Sequence, residues 1–169
     1  MPDALVLYAS VEGQTERIAQ RIAAGLRSRG HQVQLARDAP ADWSRYRGVI
    51  VGASVHYGHH PAALARALRA AHLPSAKTAF FSVSLGAKER YATRFLHKAR
   101  WHPQLVAVFA GALKYSMYGP LKRLVVRAFA AIAGHDTDTS RDYEYTDWDA
   151  VDAFAAAFSS QLRRNNSGP

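Results

Sequence analysis

Short apolar runs alternate with segments of helical spacing along the whole chain. Ala4-Leu5-Val6-Leu7-Tyr8-Ala9 is apolar throughout and ends in a polar turn, so it reads as a strand buried on both faces. Ile18, Ile22 and Leu26 follow at steps of four, with Ala19 and Ala23 beside them and Arg17, Arg21 and Arg27 on the wet side. Gly30 is expected to end that helix. His31 to Ala36 alternates as an edge strand does, and Gly48 to Gly52 reads as a buried strand. Pro61 starts a helix with Leu64 and Leu68 four apart. Thr78 to Val83 is a fourth strand, Tyr91 to Ala99 a helix, and Leu105 to Ala110 a fifth strand closed by Gly111. A capping box of Thr146 and Asp149 opens the last helix, whose face is Val151, Phe154, Ala155, Phe158 and Leu162.

Strands that alternate with helices predict an α/β fold with a parallel sheet covered on both faces. Five such strands suit the doubly wound, flavodoxin-like order 2-1-3-4-5, with the ligand at the carboxyl ends of the strands. The pattern predicts one domain over residues 1–162 and a loose tail from Arg163 to Pro169. The segment Leu113 to Tyr145 exceeds what five strands require. In it Leu121, Leu124, Val125, Ala128, Phe129 and Ile132 share one helical face, and Lys122, Arg123 and Arg127 fall largely on the other. Lys114, Tyr115 and Tyr118 precede this helix. A basic amphipathic helix beside tyrosines suits an anionic membrane surface. An ordinary helix packed on the sheet shows the same spacing.

The first turn, Ser10-Val11-Glu12-Gly13-Gln14-Thr15, joins a strand to a helix N-terminus, where free backbone N–H groups and a partial positive charge favour a phosphate. Gly13 allows close backbone approach, and Ser10, Gln14 and Thr15 can add hydrogen bonds. A plain capped turn has the same S-x-x-G-x-T pattern. A Walker loop needs Gly-Lys before Ser or Thr, and a dinucleotide loop needs three spaced glycines; neither is present.

Two more loops belong to the same sheet edge. Gly52 to Pro61 includes Ser54, Val55, His56, Tyr57 and Gly58, where Tyr57 or His56 can pack on a planar ring. Ser84-Leu85-Gly86-Ala87 is the other. His56, His59 and His60 lack a nearby carboxylate or cysteine, so solvent-exposed or ring-edge histidines are expected rather than a metal site.

The 169 residues contain no cysteine, which excludes disulfides, thiol catalysis and cysteine-held metals. No apolar run approaches a membrane span, and the start shows no signal pattern, so the chain reads as intracellular. The net charge of +9 suits solubility alone, or an acidic partner such as nucleic acid, anionic lipid or an anionic small molecule. The charge is dispersed and no nucleic-acid motif occurs, so nucleic acid is not expected.

With hydroxyl residues around a glycine and a closing threonine, the first loop resembles that of flavodoxins. The resemblance implies FMN, with its phosphate on Ser10, Val11, Glu12, Gly13, Gln14 and Thr15. It implies an isoalloxazine ring between Ser54–Gly58 (Ser54, Val55, His56, Tyr57, Gly58) and Ser84–Gly86 (Ser84, Leu85, Gly86). Carrier flavodoxins are typically acidic, and this chain is basic.

Over nearly its whole length the chain is similar to the flavodoxin-type, menaquinone-dependent protoporphyrinogen IX oxidases (dehydrogenases) of bacteria. The matching stretches are EGQT at Glu12 to Thr15, GAS at Gly52 to Ser54, YGH at Tyr57 to His59, GAL at Gly111 to Leu113, TDT at Thr137 to Thr139 and YTDW at Tyr145 to Trp148. The loop from Ser84 to Tyr91 is shorter than in that family, and His56 stands where arginine is expected.

This likeness implies an enzyme of haem and porphyrin biosynthesis that oxidises protoporphyrinogen IX and passes electrons to menaquinone or another quinone. It also implies a cytoplasmic protein peripheral on the inner face of the cell membrane, with contact through Leu113–Gly134. Arg90, Arg94, Arg100, Lys114 and Lys122 can meet the substrate's propionates, and no catalytic residue is assigned. The alternatives are a flavodoxin-like NAD(P)H or quinone reductase and a non-enzymatic FMN electron carrier.

Overall fold

The computed structural model describes residues 2–74 and 77–164, apart from the side chains of residues 129 and 133. Residues 165–169 of the expected tail lie outside the described residues, as does the Phe129 side chain assigned to the apolar helix face.

Five strands form one parallel sheet: β1 (Ala4–Ala9), β2 (Val33–Ala36), β3 (Gly48–Ser54), β4 (Thr78–Ser84) and β5 (Leu105–Ala110). Their order is β2-β1-β3-β4-β5, as the alternation of patterns predicts. Side chains alternate between the faces of each strand, so one run serves two cores. Ala4, Val6, Tyr8, Ile50, Phe81 and Val83 meet α1 (Gln14–Arg27) and α5 (Trp148–Arg163) on one face. Leu5, Leu7, Val49, Val51 and Phe80 meet α2 (Ala62–Ala71) and α3 (Glu89–Ala99) on the other.

α1 ends at Arg27, three residues before Gly30, which takes a left-handed φ of 89° in the turn that follows. β3 runs through Ser54, so Gly52 and Ala53 belong to the sheet and not to the loop after it; they pair with Phe81 and Ser82. Gly52 is required by its neighbour: a methyl group there would lie 1.9 Å from Cζ of Phe81.

The cap of α5 also differs from the sequence expectation. Asp147 is the N-cap, and its carboxylate accepts from the Ala150 N–H at 3.0 Å. The Thr146 hydroxyl is engaged elsewhere, donating to the Ala110 carbonyl and accepting from Gln14, both at 2.8 Å.

The segment after β5 forms a small unit at the carboxyl edge. β6 (Ala112–Leu113) pairs antiparallel with β7 (Tyr143–Glu144). Between them lie a 3-10 turn (Tyr115–Met117) and α4 (Pro120–Ala133). Its own core is Leu113, Tyr115, Tyr118 and Ala130, packed against Leu85, Val126, Tyr143 and Tyr145.

Gly52→Ala is expected to lower stability by about 1–3 kcal/mol through overpacking against Phe81. The same change in a Phe81→Leu background should cost less, and a double-mutant cycle from denaturant melts measures the difference.

Candidate functional site

All three loops named from the sequence leave the carboxyl ends of β1, β3 and β4. β1 and β3 are neighbours in the sheet, yet their following helices lie on opposite faces. The chain therefore parts at this edge and leaves a crevice, the usual ligand position in an open α/β sheet.

In the first loop, the Ser10 hydroxyl accepts from the Gly13 N–H at 3.0 Å. Gly13 has a φ of 87°, which L side chains rarely adopt, and it serves as N-cap of α1. The first helical bond runs from Arg17 N–H to Gly13 C=O at 3.1 Å. The N–H groups of Gln14, Thr15 and Glu16 precede it and have no carbonyl within the helix. Thr15 is 1% exposed, and its Oγ1 has no hydrogen-bond partner. An orphaned buried hydroxyl beside free N–H groups at a helix N-terminus fits an anion acceptor such as a phosphate.

Two loop residues have commitments the sequence did not reveal. The Gln14 side chain is buried and fully used: Nε2 donates to Glu144 at 3.2 Å and Thr146 at 2.8 Å, and Oε1 accepts from Arg17 at 3.2 Å. It thus has no amide left for a phosphate and instead ties α1 to the segment before α5. Partial burial works against the Glu144 carboxylate. The bonds from Arg17, Gln14 and Trp148 outweigh it and hold its pKa below the ordinary value. Glu12 accepts from the Tyr118 hydroxyl and, at 2.9 Å, from the Lys122 ammonium. Burial, and then this bond to Glu12, raise the Tyr118 pKa, so its phenol remains a donor. Val11 is exposed.

The second loop presents an exposed aromatic at the crevice edge. Tyr57 is 73% exposed and holds a φ of 47°. A left-handed, solvent-facing aromatic is a strained arrangement of the kind that gathers at ligand sites. His56 lies edge-on to it with ring centroids 4.5 Å apart. The backbone N–H and C=O groups of His56 and His59 bond one another at 2.8 and 3.0 Å, and Gly58 turns the loop with a φ of 82°. Val55 N–H donates to Val83 C=O at 2.8 Å, and the Ser54 Oγ is buried without a partner.

In the third loop, Ser84 Oγ accepts from the Lys88 N–H at 3.1 Å. Leu85 is drawn into the core of the insert, and a methyl group on Gly86 would lie 3.4 Å from His135 Nε2. The insert therefore walls this side of the crevice.

His60 is not a solvent-exposed histidine; it is largely buried and its ring is bonded within the fold. Its Nδ1 is 3.0 Å from the Ser54 carbonyl and its Nε2 3.0 Å from Ser82 Oγ. A carbonyl only accepts, so Nδ1 carries the proton and Nε2 accepts from Ser82. The ring meets Phe80 and Phe95 edge-on. Burial pushes its pKa down to about 4.

Among the basic residues considered for propionates, Lys122 is paired with Glu12. Arg90 stacks its guanidinium 5.0 Å from the Tyr91 ring centroid. Arg94 is exposed on α3. Arg100 follows the end of α3, which places it at the opposite sheet edge from the crevice. It cannot serve there, because a helix that starts at the carboxyl edge runs back to the amino edge. Lys114 stands at the first loop: a methyl group on Gly13 would be 3.6 Å from its Nζ.

The flavodoxin domain family matches residues 5–140 of the chain. A protoporphyrinogen IX dehydrogenase [quinone] of Escherichia coli strain K12 is 35% identical over 165 residues, covering 89% of this chain and 91% of its own. A protein of the same name from Leishmania major is 34% identical over 174 residues, with coverage of 94% and 75%. Among solved structures, an archaeal flavodoxin superposes with a TM-score of 0.59 at 17% identity, over 95% of this chain and 99% of its own. That likeness shows the fold.

The neutral, buried His60 carries a pH dependence. Its folded pKa of about 4 lies below the ordinary 6.5, so the unfolded chain binds more protons between those values. Stability is therefore expected to fall by ~3 kcal/mol as pH drops from 6.5 to 4. His31, also lowered by burial, contributes in the same direction. His60→Gln should flatten this limb in urea melts taken across the window; an unchanged slope would count against the burial argument.

Proposed function

The chain belongs to the flavodoxin domain family and, within it, groups with the quinone-linked protoporphyrinogen IX dehydrogenases; from that premise we propose that it uses FMN to oxidise protoporphyrinogen IX and passes the electrons to menaquinone. The observation that carries the reading is the make-up of the crevice. A phosphate loop with an orphaned Thr15 hydroxyl stands beside a strained, exposed Tyr57, and a basic insert walls the remaining side.

Ser10 to Thr15 would hold the cofactor's phosphate through backbone N–H groups and the Thr15 hydroxyl. The loops at Ser54–Gly58 and Ser84–Gly86 flank its ring. FMN, when bound, supplies the two-electron chemistry. The protein's share is binding, orientation and access. Removal of six electrons from a porphyrinogen takes three two-electron rounds, so the ring must remain reachable by substrate and quinone in turn. Arg90, which lies over the Tyr91 ring, and Arg94, exposed on the same helix, offer positive charge to the propionates. His60 is not a proton acceptor in this scheme, since both ring nitrogens are committed within the fold.

The outward face of α4 supports a membrane-side role. Leu121 is 77% exposed, Ile132 84%, and Leu124, Val125 and Met117 are also exposed. The inward face is mixed: Val126 and Ala130 pack into the insert's core, Lys122 pairs with Glu12, and Arg123 donates to the carbonyls of Tyr115 and Tyr118 at 3.0 and 3.4 Å. Clustered apolar side chains turned to solvent, with exposed Arg127 beside them, suit the interface of an anionic bilayer. No helix among the described residues is long and apolar enough to cross a membrane.

Anaerobic mixing of the FMN-loaded protein with protoporphyrinogen IX and menaquinone is expected to raise porphyrin fluorescence in a protein-dependent way. Absence of any such gain, with and without membranes, would remove the oxidase reading. Rapid bleaching by NADPH would favour a reductase. In flotation with anionic vesicles, the Leu121→Asp and Leu124→Asp double variant should lose most of its bound fraction while its circular dichroism is retained.

A further inference from the structure

The phosphate loop contains a residue of the wrong sign. Glu12 lies between Ser10 and Gly13, so its carboxylate would repel a phosphate dianion held by the same turn. Its two partners both come from the insert: the Tyr118 hydroxyl and the Lys122 ammonium, the latter 4.5 Å from the Tyr118 ring centroid. The insert also brings Lys114, whose Nζ is 3.6 Å from the position a Gly13 side chain would take. Lys114 has no ion pair among the described residues.

One cation neutralises the loop's carboxylate, and a second faces the turn outside any ion pair among the described residues, with the Asp142 carboxylate, already bonded to Ser116, as a counter-charge at longer range. The other cation near this turn, Arg37, donates to the Ser10 carbonyl at 3.4 Å and lies 5.8 Å from the Tyr8 ring centroid. Glu16, in the first turn of α1, accepts from the Tyr8 hydroxyl at 2.9 Å. Gly13 has a second role in this arrangement. Without a side chain, it leaves the space between the turn and the Lys114 ammonium open.

We propose that Lys114 is the counterion of the FMN phosphate, so that the segment after β5 completes the phosphate site electrostatically. The inference rests on the FMN reading above and adds to it a residue more than 90 positions from the loop. Neutral hydroxyl and N–H donors bind a phosphate by directed hydrogen bonds and depend weakly on salt. A partly exposed ammonium adds a Coulomb contribution that salt screens.

The test compares FMN with riboflavin, which has the same ring and lacks the phosphate. Flavin fluorescence quenching on the full-length chain gives both dissociation constants at low and at high salt. Lys114→Met is expected to weaken FMN about tenfold at low salt, on the order of one close charge interaction, and to leave riboflavin unchanged. The FMN advantage of the unsubstituted protein should shrink as salt rises, and that of the variant should not. Lys114→Arg should retain most of the affinity.

An equal loss for FMN and riboflavin, or no loss for either, overturns the proposal while leaving the FMN reading intact. Failure of the unsubstituted chain to bind FMN at all overturns both. Unchanged riboflavin binding in Lys114→Met also shows that the variant is folded.

Discussion

A parallel sheet must be covered on both faces, and that requirement arranges everything else in this molecule. β1 and β3 lie side by side, with Tyr8 opposite Gly52 and Ala9 opposite Ala53. The chain leaving β1 turns to the face of α1, and the chain leaving β3 turns to the face of α2. Two adjacent strands thus send their continuations in opposite directions. The gap between them cannot be closed by either helix, and both of its walls end in backbone that no strand pairs with. The crevice is therefore a by-product of covering the sheet, and the loop residues decide what enters it.

The fold was legible because its signal is repetitive. Ile18, Ile22 and Leu26, or Val151, Phe154 and Phe158, state their burial by spacing alone, and all six are buried. The three crevice loops followed from strand order. What spacing could not show is how polar side chains are shared between distant segments. The Gln14 side chain is a tie to Glu144 and Thr146, while its backbone N–H stays free at the helix N-terminus. Thr146 looked like a cap and is used by Gln14 and Ala110, which moves the cap to Asp147. His60 was grouped with two exposed-looking neighbours, yet the Ser54 carbonyl and Ser82 hydroxyl take both of its nitrogens. Each of these bonds joins residues that sequence separation hides. An exception was foreseeable in principle: a lysine just after a strand that ends at the crevice edge, as Lys114 is, stands where charge can reach the ligand.

The insert shows the limit of periodicity from another side. Its helix has an apolar stripe and a basic stripe, and spacing alone leaves open which one faces the protein. The decision belongs to individual bonds. Glu12 draws Lys122 inward, and the carbonyls of Tyr115 and Tyr118 draw Arg123 inward. The small core under α4 is correspondingly rich in tyrosine, and its hydroxyls and neighbours are tied by polar contacts. Tyr115 donates to the Asp136 carbonyl at 3.0 Å, Tyr145 to the Asp136 carboxylate at 2.6 Å, and Asp142 accepts from Ser116 N–H and hydroxyl at 2.8 and 2.6 Å. A unit with little buried apolar area and many such bonds opens more readily than the sheet beneath it.

The tie between Gln14 and Thr146 spans 132 residues. Closing a loop of that length has an entropic cost that local contacts do not share, and contacts of this kind tend to form late. The ribosome releases the first loop long before its partner exists. The helix that completes one cover of the sheet, α5, follows Thr146 directly, so the same last part of the chain closes that core face and fixes the Gln14 side chain.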